Sequence, residues 1–412
     1  MTSWRWWLGW PSVPLAIAAA ILAWSGWNLL ANARLRRDLE RLEAAGEPVR
    51  IAQLPRMEIP AGPNASPLYE EATLLLIPGE GAGAERPWVW DRPLDSGERD
   101  RAKLWVSRNR HTLDLLVRAS ETPLCRSPFQ AAVFQTLDSR RFHLNSCILL
   151  LGTAARLANE SGESETADRC LAAAVATCRF GDGAPGLGAL QRRAWNLNSA
   201  ASACRAAFES GFAPGRSLRE AIGALPAGLF TDSIPAALRA ERARGIELVL
   251  GPSSQSRLSR YTHAPLPRSL VFRLLRPAQS GKLSGFLEGH ARLLEASSGQ
   301  PAGLFRVAWE IRHDASPGWW LPGESAYYSA SDVVSLIAAD MELDLLKAAL
   351  AGLPGRAADG TWPDTWPELE ALRDRSTGGP YVKRREGKIL VVESPTPGSF
   401  SDRKLVRWEF GN

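Results

Sequence analysis

Apolar positions run unbroken at the start of this chain and periodically after it. From Trp6 to Ala33 no side chain carries a charge (WWLGWPSVPLAIAAAILAWSGWNLLANA). A bilayer core of about 30 Å needs about 20 mostly apolar residues in a helix, so the run is long enough to cross one. Trp4, Trp6, Trp7 and Trp10 crowd one end, and Trp24 and Trp27 the other. On a helix Trp7 and Trp27 stand roughly 30 Å apart, which places both indoles at headgroup level. Val13, Leu15, Ile17, Ile21, Leu22, Leu29 and Leu30 favour insertion by roughly 3–4 kcal/mol in total, while Pro11, Ser12, Pro14, Ser25 and Asn28 oppose it. Residues 7–31 are therefore expected to hold the chain in a membrane.

The rival reading is a cleaved signal peptide, with Arg5 as the n-region, Val13–Ala23 as the h-region and Ala31-Asn32-Ala33 as the cleavage site. The stretch before that site carries Trp24 and Trp27 and is long and bulky for a cleavage region, so a retained anchor is the reading adopted. Arg34, Arg36, Arg37 and Arg41 follow the run and only Arg5 precedes it, a bias that by itself keeps the following side cytoplasmic. Large domains translocate largely regardless of flanking charge, and Asp38, Glu40 and Glu43 are interleaved here. The expectation is a single-pass protein of the bacterial inner membrane with an extracytoplasmic body.

Beyond the run the apolar spacing is helical. Leu35, Leu39 and Leu42 extend the first helix to Ala45, where Gly46 caps it and Pro48 stops it. Asn64 or Ser66 can cap a helix from Pro67 to Ile77. Further helices are predicted over Ser96–Ser120, Asp138–Glu160, Ser164–Arg179, Leu187–Ser210 (with Trp195 turned inward), Ser217–Leu225 and Ser233–Leu250. Two short ones follow, Leu266–Leu275 and Leu283–Ser297, and then a strongly amphipathic one over Ser331–Leu350. Gly162, Ala167, Leu171 and Ala174 sit at offsets used in the second half of a tetratricopeptide hairpin. No second copy recurs, so a single helical hairpin is predicted. After Pro354 the pattern changes: a short helix over Glu368–Arg373, then Tyr381–Arg384 and Lys388–Val392 flanking Glu386-Gly387 as a hairpin, with Lys404–Phe410 as a third strand.

The fold class is thus mainly α: an N-terminal transmembrane helix, an irregular multi-helix body and a small α+β C-terminal tail with a β-hairpin. The expected boundaries are 1–46 for the anchor and juxtamembrane helix, 47–95 for an extended linker with one short helix, 96–353 for the helical body and 354–412 for the tail.

Composition changes this picture little. The 412 residues carry a net charge of +5. Arginine outnumbers lysine 43 to 6 within the 49 basic residues. Together with abundant alanine, that reads as genome composition and not as a nucleic-acid surface, so no nucleic-acid partner is expected. Cys125, Cys147, Cys170, Cys178 and Cys204 show no metal-ligand spacing and read as buried small apolar residues.

Three stretches carry a resemblance: RLEAAGEPVRIAQL (Arg41–Leu54), PNASPLYEEA (Pro63–Ala72) and DGTWPDTWPELEAL (Asp359–Leu372). With the anchor, they resemble a loose group of uncharacterised bacterial single-span membrane-anchored helical proteins. The last stretch is also similar to the segment before the C-terminal hairpin of type II secretion major pseudopilins. Those proteins need a Gly before the apolar helix and a Glu soon after it, and this span has no such Glu. The group implies no activity.

Motifs of chemistry are sparse. Gly181–Gly186 matches GxGxxG, but Ala-rich helix precedes it where a dinucleotide site needs a strand, so a helix–helix turn is expected. Ser401–Lys404 fits S-x-x-K without its companion motifs. No cofactor or metal is expected. Between Leu248 and Leu287 there is no acidic residue, while Arg257, Arg260, Arg268, Arg273, Arg276 and Lys282 accompany an apolar run, a combination suited to anionic lipid or an acidic partner. The alternative there is an ordinary solvated helix and loop. His313, Asp314, Trp319, Trp320, Glu324, Tyr327 and Tyr328 fall in a Gly/Pro-rich stretch that could serve as an aromatic ligand-binding loop. Its alternative is a loop tucked over the core by its own aromatic rings.

The leading functional expectation is a non-enzymatic, membrane-anchored interaction or scaffold protein of the cell envelope with a protein partner. The alternatives are an envelope hydrolase or ligand-binding protein using 313–328, and a secretion-system accessory. A ligand loop exposes its rings: acrylamide quenching is expected to fall in a Trp319→Phe/Trp320→Phe variant relative to the unaltered protein. No change in quenching would exclude the loop.

Overall fold

The computed structural model describes residues 12–55, 62–78, 94–126, 144–181, 186–250, 268–314, 326–357, 361–363, 365–395 and 405–410. Among these residues there are thirteen α-helices and one three-stranded antiparallel sheet, which is the mainly α architecture expected. The residues group into two compact units assembled from separated stretches of chain. One unit comprises 1–55, 238–294 and 311–329; the other comprises 56–237, 295–310 and 330–412.

The first unit begins with α1 (Ser12–Ala44), a single unbroken helix. Gly46, at φ +69°, turns the chain, and the Gly46 and Glu47 amides donate to the Glu43 and Leu42 carbonyls. The unit also contains most of α9 (Ile234–Leu250) and of α10 (Arg268–Ser297). Two short helices were expected across 266–297; the structure shows one continuous helix from Arg268. Gly281, Gly285 and Gly289 are too mild as breakers to interrupt thirty residues whose later half is packed.

The second unit holds α2 (Ser66–Leu75), α3 (Ser96–Arg108), α4 (Arg110–Glu121), α5 (Leu144–Glu160), α6 (Ser164–Ala176), α7 (Leu187–Glu209) and α8 (Arg216–Gly223). The helix expected over 96–120 breaks at Asn109. That buried side chain donates to the Trp105 and Ile77 carbonyls and accepts from the Ile77 amide at 2.8 Å, competing locally with the helical ladder. The predicted α5–α6 hairpin is present, turned by Gly162 at φ +77° and closed by buried alanines such as Ala155, Ala158, Ala167 and Ala174. Trp195 was expected inward on α7; it is 57% exposed, because Ala194 and Leu197 take the buried face.

Helix α11 (Pro301–Asp314) had no counterpart among the predicted elements, and α12 (Ala326–Gly352) starts five residues earlier than expected. Asp340 on α12 accepts from the Phe230 and Thr231 amides at 3.1 and 2.8 Å, and Asp344 pairs with Arg375 at 2.7 Å. The tail opens with α13 (Pro367–Ala371), and strands β1 (Val382–Glu386), β2 (Ile389–Glu393) and β3 (Arg407–Phe410) follow in that spatial order. Val382 pairs with Glu393 and Leu390 with Phe410. Trp362 and Trp366 stack at 4.9 Å and Phe410 meets both edge-on. A Cβ on Gly352 would collide with the Trp366 indole, so only glycine lets α12 end there.

Asp168 on α6 shows how polar burial is organised. Its carboxylate is 4% exposed and accepts from the Gly215, Ser217 and Leu218 amides at 2.6, 2.9 and 3.3 Å, capping α8 from a neighbouring helix. Asp168→Ala is expected to lower stability by about 2–3 kcal/mol in urea titration of the detergent-solubilised protein. The exposed Ser164→Ala on the same helix serves as the reference and should cost less than about 0.5 kcal/mol.

Candidate membrane-anchoring surface

The surface of α1 changes character part-way along. Val13, Leu15, Ile17, Ile21 and Leu22 are all more than half exposed, and none of the most apolar stretch of the helix is buried. From Trp24 onward a stripe is covered: Trp24, Asn28, Ala31, Leu35, Leu39 and Leu42 are half-buried or buried, at spacings of four or three. That spacing is the packed seam of one helix against another. The helix as a whole is long and apolar enough to cross a membrane.

A short polar ladder marks the change. Asn32 Nδ2 donates to Asn28 Oδ1 at 2.8 Å, and Ser280 Oγ of α10 donates to Asn32 Oδ1 at 3.0 Å. Beyond it Leu35 and Val49 pack with Ile246, Leu283, Phe286 and Leu287, and Leu39 and Leu42 lie partly buried against them. Gly245 admits the Phe286 ring; a Cβ there would lie 2.7 Å from it. Arg34 and Glu288 pair at 2.9 Å, but both are largely exposed, so the pair adds little.

The turn after α1 is fixed by charge. Glu47 accepts from Arg242 at 2.6 Å and from Arg239 at 3.1 Å, both on α9. Burial acts to raise the Glu47 pKa, but the hydrogen bonds and charges of Arg242 and Arg239 outweigh it and hold the carboxyl below its ordinary value. Glu247 accepts from the Ile51 amide at 3.0 Å, tying the chain beyond the turn to the same helix.

His290 on α10 is fully buried, with Nε2 2.8 Å from Ser329 Oγ and its ring 4.1 Å from that of Phe286. Burial, and then the positive charge of Arg242, push its pKa down to about 3, with the Leu238 backbone partly opposing. A base that weak, in contact with a hydroxyl only 2% exposed, is poorly suited to activate it for nucleophilic chemistry. The pair reads as a neutral packing contact. Three thiols are equally unsuited: burial pushes Cys147 and Cys204 up to about 12 and Cys170 to about 11. Among the described residues no group of three or more His, Cys, Asp or Glu could hold a metal ion.

The stretch 313–328 was expected to form one loop, but its two ends are helical. His313 and Asp314 close α11, and Tyr327 and Tyr328 lie in the first turn of α12. His313 is exposed and Tyr328 is 41% exposed. Trp319, Trp320 and Glu324 lie outside the described residues. Of the basic positions, Arg268, Arg273 and Arg276 fall on the first half of α10 and Lys282 is exposed on the same helix, while Arg257 and Arg260 lie outside the described residues. Sequence reading missed the work of Asn28, Asn32, Ser280, Glu47 and Arg242. The only signal was the pair Asn28 and Asn32, one helical turn apart inside an apolar run.

The fold and this surface define a mainly α protein with one long, bare apolar helix at its N-terminal end. No family model, curated protein or solved structure matches the chain.

A histidine held neutral by burial links stability to pH. In the unfolded chain it takes up a proton below about pH 6.5, whereas in the folded chain it resists doing so until about 3. Its contribution is present above pH 6.5 and is lost as pH falls. Between pH 6.5 and 5 the protein is expected to lose about 2 kcal/mol more than His290→Gln does, measured by urea titration in detergent. Parallel pH profiles would show that His290 is not held neutral.

Proposed function

We propose that the protein is a single-pass, membrane-anchored helical interaction protein of the bacterial cell envelope. The observation that carries this is the division of α1. Its first part leaves large apolar side chains uncovered, and its second part is packed without any break in the helix between them. A water-soluble chain would expose a continuous apolar surface far larger than soluble monomers tolerate. Lodged in lipid, the same surface is in its preferred solvent and the backbone polar groups are satisfied within the helix.

The second unit supports the interaction reading. Ser199 Oγ of α7 donates to Asn145 Oδ1 of α5 at 2.7 Å. Leu149, 41% exposed, and Trp195, 57% exposed, each lie one turn from that bond. An exposed tryptophan suits a protein partner, since tryptophan is enriched among the residues that dominate interface energetics. The proposed orientation puts the body on the extracytoplasmic side of the inner membrane; the arginines that follow the span do not oppose it, since large domains translocate largely regardless of flanking charge.

Full-length protein is expected to remain with the membrane fraction after alkaline carbonate washing and to leave it only in detergent. Protease added to spheroplasts should cleave the body while sparing residues 12–31. Recovery of the intact chain as a monomer without detergent would overturn the anchored reading. Protection of the body in spheroplasts, with cleavage after lysis, would reverse the orientation.

A further inference from the structure

Helices α1 and α10 leave the end of the apolar run side by side and in the same direction. Ser280 Oγ of α10 donates to Asn32 of α1, and further along Glu288 pairs with Arg34. Between those two contacts Leu283, Phe286 and Leu287 join the cluster of Leu35, with Leu39 and Leu42 lying against it. The last large bare apolar side chains of the run are Leu29 and Leu30. The level of Asn32, Ala33 and Ser280 is therefore where apolar surface gives way to charge.

Three cations stand just beyond that level. Arg36 and Arg37 lie about 5 and about 6 Å past Ala33 along the helix axis, and Lys282 about 3 Å past Ser280, at about 1.5 Å per residue. All three are exposed, and among the described residues no carboxylate pairs with any of them. Their neighbours differ: Arg34 is held by Glu288 at 2.9 Å, and Arg41 lies 4.0 Å from Asp38. Arg37 is turned back toward the run. Its Nε donates to the Ala33 carbonyl at 3.2 Å, which brings the guanidinium to the height of the last uncharged residue of the run. Helical side chains lean toward the N-terminus of their own helix, so Arg36 and Lys282 set out in the same direction. With α1 in a bilayer, the headgroups of the adjoining leaflet lie at this height, and unpaired cations there meet lipid phosphates. A guanidinium fork also matches the oxygens of a phosphate.

We propose that Arg36, Arg37 and Lys282 form a binding site for the phosphate groups of anionic phospholipids in the leaflet next to the body. This rests on α1 being the anchor. Zwitterionic lipids carry the same phosphate with a compensating ammonium, so the site favours lipids of net negative charge. Each basic residue at an anionic surface is worth about fivefold in lipid affinity.

The test uses the full chain reconstituted in mixed phosphatidylcholine and phosphatidylglycerol bilayers and then extracted in mild detergent. Lipids that stay bound are quantified by mass spectrometry and are expected to be enriched in phosphatidylglycerol over the bilayer. Arg36→Gln/Arg37→Gln/Lys282→Gln should retain at least tenfold less of it, and the single variant Arg37→Gln about fivefold less. Arg36→Lys/Arg37→Lys/Lys282→Arg, which keeps the charges, should retain it. Lys103→Gln/Arg110→Gln/Arg118→Gln removes the same charge from exposed positions of the second unit and should leave the enrichment unchanged. Excess inorganic phosphate should not displace the lipid. Absence of enrichment, an unchanged triple variant at Arg36, Arg37 and Lys282, or an equal loss in the second-unit variant overturns the proposal. Displacement by inorganic phosphate overturns lipid as the ligand and leaves a free anion in its place. All of these outcomes leave the anchor standing so long as the protein resists carbonate extraction. Release by carbonate overturns the anchor itself, and this proposal with it.

Discussion

One unbroken helix carries a bare apolar part and a packed part, and the first unit is arranged around that change. The backbone of α1 gives no opportunity to separate the apolar part from the packed part, since no break intervenes between Ser12 and Ala44. The change is made by side chains alone. Asn28 and Asn32 form a polar step, Ala31 and Leu35 begin the buried seam, and the turn at Gly46 delivers Glu47 to two arginines of α9. A rigid helix fixed in this way transmits the position of the apolar part to everything packed on the remainder. Apolar packing of Leu35 and Val49 with Ile246, Leu283, Phe286 and Leu287 holds the second part of α1. The Glu47 pair with Arg242 supplies direction, because a half-buried carboxylate accepting from two guanidinium groups tolerates little displacement.

Buried polar groups in both units are used for shape. Asp168 caps α8, Asp340 holds the amides of Phe230 and Thr231, and His290 contacts Ser329. Each joins segments distant in sequence where a backbone amide or hydroxyl would otherwise be buried without a partner. The same burial removes chemical reactivity. His290 is made a feeble base, and three cysteines are kept as thiols far above neutral pH.

Local signals in the sequence identified most helices, because their causes are local. Gly46, Gly162 and Gly387 take up positive φ where the predicted turns fall, and the spacing of Val334, Ile337, Met341 and Leu345 marks the buried face of α12. The errors share a cause. Asn109 divides a predicted helix because Ile77, thirty-two residues earlier, offers it partners. Trp195 faces outward although it is large and apolar, because small residues on α7 let the neighbouring helix approach on the other side. The join that makes α10 one helix and the existence of α11 were also missed; weak local periodicity there is overridden by packing.

The order of residues along the chain was enough to determine the apolar opening run, the helical class, the hairpin at Gly162 and the three-stranded tail, since each depends on neighbours within a few turns. Tertiary structure decided which stretches share a unit, that Ser280 meets Asn32, that Glu47 meets Arg239 and Arg242, and that His290 is sealed from water. Those pairings join positions up to about 250 residues apart, and their free energy comes from burial and complementary charge that no window of sequence contains.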